Sequence, residues 1–151
     1  MTQQQHSDTP LFIPGLRPLY EGVAPCIYPL IRFTLGAFLV VHSYPKVTNL
    51  SGAAALFGKM GFGSPMALAV LITIVEFFGG LGIALGFITR LWAAAAAIEM
   101  AYIVFVLKWQ KGFMAFAGGY EYELLLGILL FVIALRGSGN LSVDKAIGKE
   151  L

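Results

Sequence analysis

The stretch Glu76-Phe-Phe-Gly-Gly-Leu-Gly-Ile-Ala-Leu-Gly-Phe-Ile-Thr-Arg90 ends a run that begins at Ser64 and is otherwise uncharged. At about 1.5 Å of rise per residue, that run is long enough to cross a hydrocarbon core of roughly 30 Å. Near its middle stands one carboxylic acid, Glu76, followed by glycines at 79, 80, 82 and 86. Glycines in a transmembrane helix let a second backbone approach closely, because lipid offers no hydrophobic drive for association. Gly79, Gly80, Gly82 and Gly86 are therefore read as helix-packing positions, with Gly82 to Gly86 in a GxxxG spacing. An acid at the bilayer centre costs about 3 kcal/mol or more unless it is paired or protonated. This helix is expected to be enclosed by others, with something polar beside Glu76.

Composition sets the class. Of 151 residues, 58% are hydrophobic and 12% charged, whereas a soluble domain is about a quarter charged. Mean hydropathy is +0.82, and the chain is read as an integral membrane protein. A single cysteine, Cys26, excludes an intrachain disulfide and any CxxC relay. Two histidines, one of them in the polar leader, exclude a bis-His haem and a His-rich metal site within the membrane core of one chain. No metal is expected. The net charge of +2 is small and dispersed, so nothing points to nucleic acid.

Residues 1–26 start polar and carry Pro10, Pro14, Pro18 and Pro25. No basic segment followed by an apolar core is present, so no cleavable signal peptide is read. This leader is expected to be extended, with Leu11, Phe12, Ile13, Leu16, Leu19 and Tyr20 against the membrane interface or a partner. The alternative is a disordered leader. A first membrane helix is expected over 27–44, with Arg32 one turn in, His42 near its far end and Pro45 as its stop. Residues 46–63 form the longest connection, with a short interfacial helix expected at 53–57. A second helix covers 65–87. Thr89-Arg90 makes a tight turn, so a third helix over 91–107 packs antiparallel beside it through the small residues 93–97.

A fourth helix is expected over 119–136. Its uncharged run, 124–135, is 12 residues, or roughly 18 Å, too short to span unless residues 120–123 enter the outer membrane region. Residues 137–151 form a short polar tail. The fold class is therefore all-α: a polytopic antiparallel bundle of four transmembrane helices, 27–136, with both termini on one side. That side carries Arg17, Arg32, Arg90, Arg136, Lys145 and Lys149, against Lys46, Lys59, Lys108 and Lys111 on the other. The balance favours cytoplasmic termini by the positive-inside rule.

Depth follows from counting outward from the turn. Glu76 lies 13 residues before Thr89 and Glu99 lies 10 after it, which places them about 20 Å and about 15 Å down. Two carboxylates at similar depth should not both ionise unless a cation intervenes. Arg32 enters from the same side as the turn and is expected to reach toward Glu99 as a buried ion pair. Arg32, Glu76 and Glu99 thus form a candidate intramembrane polar site, for protons or a polar ligand, or simply to fix packing. A second candidate cluster lies at the opposite face: His42, Lys46, Lys108, Lys111, Glu121 and Glu123, with Trp109, Tyr120 and Tyr122 as an aromatic belt. Of Glu121 and Glu123, only one can face the bundle, since residues two apart on a helix diverge.

Four ordered stretches resemble the DoxX family of small bacterial four-helix membrane proteins. They are Arg32-Phe-Thr-Leu-Gly-Ala-Phe-Leu-Val-Val-His42 with Lys46; Glu76-Phe-Phe-Gly-Gly80 with Gly86-Phe-Ile-Thr-Arg90; Gly118-Gly-Tyr-Glu-Tyr122; and Gly137-Ser-Gly-Asn-Leu-Ser-Val-Asp144. Ser43 stands where the family pattern has Gly, and the proline-bearing leader lies outside that pattern. The resemblance implies a context and not a reaction: respiratory and sulfur-linked redox systems, including quinone-reducing thiosulfate oxidation and complexes with oxidative-stress enzymes. Carried over by position, the polar set is Arg32, His42, Lys46, Glu76, Arg90 and Glu121; Glu99 is added from depth alone.

Three functional readings follow, all in a bacterial inner membrane. One is a subunit of a redox-linked assembly that binds a quinone or another lipid-soluble ligand and receives electrons from a partner subunit. Another is a non-catalytic anchor held in a larger complex through its termini. The third is a small proton-linked permease, which four short helices without an internal repeat favour least. Membrane lipids and other protein subunits are the expected partners.

Overall fold

The computed structural model describes residues 9–150, and within them every regular element is helical. The polar start expected at residues 1–8 lies outside the described residues. A 3-10 turn, Pro14–Leu16, leads into α1, Arg17–Thr48. The leader is thus helical from Arg17 and not extended through residue 26. Pro18 sits in the first turn of α1, where its missing N–H leaves no bond unmade.

Pro45 does not stop α1. A proline removes a donor but keeps its carbonyl, and the Pro45 carbonyl accepts the Asn49 N–H at 3.1 Å. The real stop is Asn49, whose side chain accepts the Gly52 N–H at 2.9 Å and so caps α2, Leu50–Lys59. This short helix takes up most of the connection expected at 46–63.

The second long span is built from α3 (Pro65–Thr73), a π-helical stretch Ile74–Phe78 and α4 (Gly79–Leu85). A left-handed Gly86, φ 75°, ends it. Next, α5 (Thr89–Tyr102) continues through a second π-helical stretch, Ile103–Lys108, and a 3-10 turn, Trp109–Lys111. The remaining helices are α6, Glu121–Arg136, and α7, Val143–Ile147. Three segments are long and apolar enough to cross a membrane: Pro14–Thr48, Pro65–Leu85 and Thr89–Lys111. The chain is a helical membrane protein. By contrast α6 has 16 residues, about 24 Å.

The most extensive interfaces are α5 with α6, α1 with α4, and α2 with α3. The core between them is aliphatic: Leu35 and Leu39 of α1, Ile83 of α4, Ala93 and Ala96 of α5, and Leu130 and Ile133 of α6. Each glycine of the opening stretch has its own task. Gly80 faces Gly36 of α1, where an added Cβ would stand 2.8 Å from the Gly36 carbonyl oxygen. Gly79 and Gly82 seat the ring of Trp92, which a Cβ at Gly82 would meet at 2.8 Å from Nε1. Gly86 lies beyond the helix. The close crossing is therefore not the expected Gly82/Gly86 face but Gly80 and Ala84 against Gly36, one turn apart on the same side of α4.

At Gly36 an added Cβ would lie 2.5 Å from the Ala84 backbone nitrogen, an atom that has nowhere to move. Gly36→Val is expected to destabilise the bundle by at least the usual overpacking cost of about 1–3 kcal/mol. Gly22→Val, where a Cβ meets nothing within 4 Å, should leave the melting temperature unchanged. Thermal unfolding of both variants in one detergent checks this; equal melting temperatures would mean that the α1 and α4 backbones do not touch.

Candidate functional site

Glu76 sits in the middle of the π-helical stretch Ile74–Phe78. A π turn inside an α-helix carries an extra residue and is frequent at functional sites. Its carboxylate is 3% exposed and meets the Lys46 ammonium at 2.7 Å, an ion pair that joins α1 to the second span. Glu99 of α5 turns toward the same point, interacting with both Glu76 and Lys46. Its Oε2 is buried without a hydrogen-bond partner among the described residues. The two acids, expected at similar depth on adjacent helices, meet here. The cation that intervenes is Lys46 and not Arg32, so the two candidate clusters share a member.

The Lys46–Glu76–Glu99 cluster is one-sided. Toward the α4–α5 turn the next residues of the same helices inward, Leu39, Ile83 and Ala96, belong to the buried apolar core. Toward the α1–α2 end it meets the surface through Lys46, whose side chain is 18% exposed. An open apolar groove of about 370 Å³ lies elsewhere, between Phe78, Leu85, Trp92 and Val143. None of the three cluster residues lines it. Among the described residues, no three His, Cys, Asp or Glu side chains converge to hold a metal ion.

Arg32 does other work. Buried at 3% exposure, it donates to the carbonyls of Ser138, Leu141 (2.6 Å) and Ala84 (3.4 Å), and so grips the C-terminal tail. The expected Arg32–Glu99 pair is absent because the helix-end carbonyls lie at the arginine's own level and Glu99 lies deeper. The same tail supplies Asp144, 2% exposed. Its carboxylate accepts the N–H of Ile88 at 2.8 Å, the N–H of Thr89 at 3.1 Å and the Thr89 hydroxyl at 2.9 Å. The residue at the N-cap of α5, Ile88, has no side-chain acceptor, and Asp144 provides one from across the fold. Arg90 likewise donates to the α6-end carbonyls of Ala134 (3.2 Å) and Leu135 (2.5 Å). Tyr28 donates to the Gly137 carbonyl, and Arg136 lies over its ring at 4.2 Å. Three of the family-like stretches thus form one structural clasp.

At the opposite face Glu123, not Glu121, turns inward: it pairs with Lys108 at 2.6 Å, its side chain 15% exposed. Glu121 is exposed and accepts the Ala115 N–H at 3.1 Å, holding the loop before α6. His42 is exposed on α1. Tyr120 stacks on Trp109 with ring centroids 5.2 Å apart, and Tyr122 is exposed, consistent with interfacial aromatics.

Fold and site together define a small helical membrane protein with a buried ionic cluster toward the α1–α2 end and a polar clasp at the other end of the bundle. A family model described as DoxX matches residues 28–109, and the chain belongs to the DoxX family. Among curated relatives, a Bacillus subtilis (strain 168) protein named "Putative oxidoreductase CatD" is 28% identical over 120 residues, covering 80% of this chain and 86% of that one. The Escherichia coli (strain K12) "Inner membrane protein YqjF" is 28% identical over 131 residues, covering 85% and 92%. An uncharacterized Haemophilus influenzae protein is 27% identical over 133 residues, covering 86% and 97%. No solved structure matches the chain.

Two outcomes test the geometry. Lys46→Met strands two acids, and it is expected to cost about 3–5 kcal/mol, as removal of one partner of a buried pair does. Adding Glu76→Gln should recover most of that loss in denaturant unfolding; unchanged stability in Lys46→Met alone would refute the pairing. At the clasp, the Ser138 N–H holds the Glu150 carboxyl below its usual range against the opposing effect of burial, with a lesser contribution from Arg90. Ionised Glu150 is the bound form. Its contribution is therefore complete above the unfolded value of about 4.3 and is lost as pH falls through the lower folded value. Protection of the Ser138 amide against hydrogen exchange, relative to its intrinsic rate, should fall over that window and become pH-independent in Glu150→Gln.

Proposed function

We propose that this protein is a four-helix membrane subunit of a bacterial inner-membrane, redox-linked assembly, with both termini cytoplasmic. In this reading α6 is the fourth crossing, its short apolar run extended by residues 120–123 in the outer membrane region. The cluster of Lys46, Glu76 and Glu99 handles protons for a quinone or a similar lipid-soluble ligand. The buried meeting of one ammonium and two carboxyls carries the proposal, because such groups persist in a membrane interior at a cost and are functional by default. Reduction of a quinone to its quinol consumes two electrons and two protons. Electrons would come from a partner redox subunit; the carboxyls pass protons inward from the surface that Lys46 reaches. The name of the Bacillus relative supports an oxidoreductase context.

A second reading, an anchor subunit without chemistry of its own, draws support from the clasp. It ties the start of the bundle's first helix and the C-terminal tail into one bonded surface at one end of the bundle. The permease reading is weaker, because the bundle between the cluster and the far side is packed with the buried apolar residues Leu39, Ile83 and Ala96.

Purification in mild detergent, with mass spectrometry of co-purifying proteins and extracted small molecules, separates these readings. A stoichiometric quinone that is lost in Glu76→Gln, with the fold retained, is the expected result. A partner complex without a ligand on this chain, or a fully active Glu76→Gln protein, would instead favour the anchor.

A further inference from the structure

The first helix is longer than the membrane needs. The 32 residues of α1 extend about 48 Å, against a hydrocarbon core of roughly 30 Å. Tilt alone would have to reach about 50°, outside the usual range of up to 40°. Tyr28 and Arg32 fasten α1 to the clasp, and the clasp marks the end of the bundle. The excess is therefore N-terminal, residues 17–27, about 16 Å of helix.

That excess is two-faced. Tyr28, Arg32, Leu35 and Leu39 recur at three- and four-residue steps on the side of α1 that packs on the bundle. The same line runs on through Glu21 and Arg17, which approach one another at 4.0 Å. Opposite them, Tyr20, Val23, Ile27 and Leu30 are 49%, 45%, 51% and 64% exposed. This apolar line continues without a break into Phe38 and Val41, exposed on the outward side of the span. The stripe on the extension thus continues the outward side of a membrane-crossing helix, the side on which a lone bundle meets lipid. Pro25 and Pro29 lie between the extension and the span. Each lacks the N–H that would bond back one turn, so α1 bends more readily there than anywhere else in its length.

We propose that residues 17–27 form a membrane-surface helix, turned at Pro25–Pro29 onto the bilayer that the bundle itself occupies. Tyr20, Val23 and Ile27 rest on acyl chains, while Arg17 and Glu21 face water. The proposal does not depend on the chemistry of the Lys46 cluster.

The full-length protein is to be reconstituted in phosphatidylcholine bilayers, with a nitroxide at one position of the extension. Cys26 is the only cysteine and is exposed, so it serves as one label site directly. Val23→Cys and Glu21→Cys, each combined with Cys26→Ser, report the two faces. The expected result is an inverted collision preference: oxygen over a water-soluble nickel chelate at position 23, and the reverse at position 21. Equal access of the chelate to both positions, as for a helix standing in water, would overturn the proposal. So would dipolar broadening at position 23, which would mean that a second copy covers the stripe.

Discussion

The close approach of two backbones, Gly36 of α1 and Gly80 of α4, sets the geometry of everything else. With no side chain between them, α1 lies against the second span along its length. At one end this brings Arg32 within reach of the tail and the Ala84 carbonyl. At the other it lets Lys46 extend to Glu76. A single methyl group at the crossing would part both ends at once, since a membrane interior offers no hydrophobic drive to close the gap.

Between those ends the bundle separates two kinds of polarity. Near the termini, arginines and one aspartate answer backbone groups that helix ends leave open, a demand that lipid makes absolute. These contacts are numerous and nearly complete. Toward the α1–α2 end, the ionic cluster is sparse and incompletely satisfied, with Glu99 holding an open acceptor. Arg32 Nε in the clasp is likewise buried without a partner among the described residues, so the functional reading rests instead on the meeting of two carboxyls and one ammonium inside the bundle.

Much of this was legible in the residues alone. A tight turn between antiparallel helices works as a ruler, so counting from Thr89 places Glu76 and Glu99 at one depth without any structure. Grouping Lys46 with His42 and the opposite-face acids misses Glu76, to which α1 carries it by running on through Pro45. The lysine's spacing of three from Ser43 and seven from Leu39 continues the buried line of α1, and following that period through the proline finds it. The choice between Glu121 and Glu123 needed the position of Lys108, which depends on a π-helical stretch that no local signal announces. Asp144 was visible only as part of a family-like stretch. Its task lies 55 residues upstream at Thr89, a distance across which sequence spacing says nothing.

That distance has a consequence for how the chain is made. The α4–α5 turn is completed by an acceptor that leaves the ribosome after α6 has been synthesised. Until then the N–H groups of Ile88 and Thr89 lack the carboxylate that caps them in the finished fold, and Arg32 lacks the tail carbonyls it grips. Residues 138–144 therefore fasten helices made before them: a chain cut short before Asp144 carries α1 to α6 yet lacks the contacts that lock the α4–α5 turn to the tail.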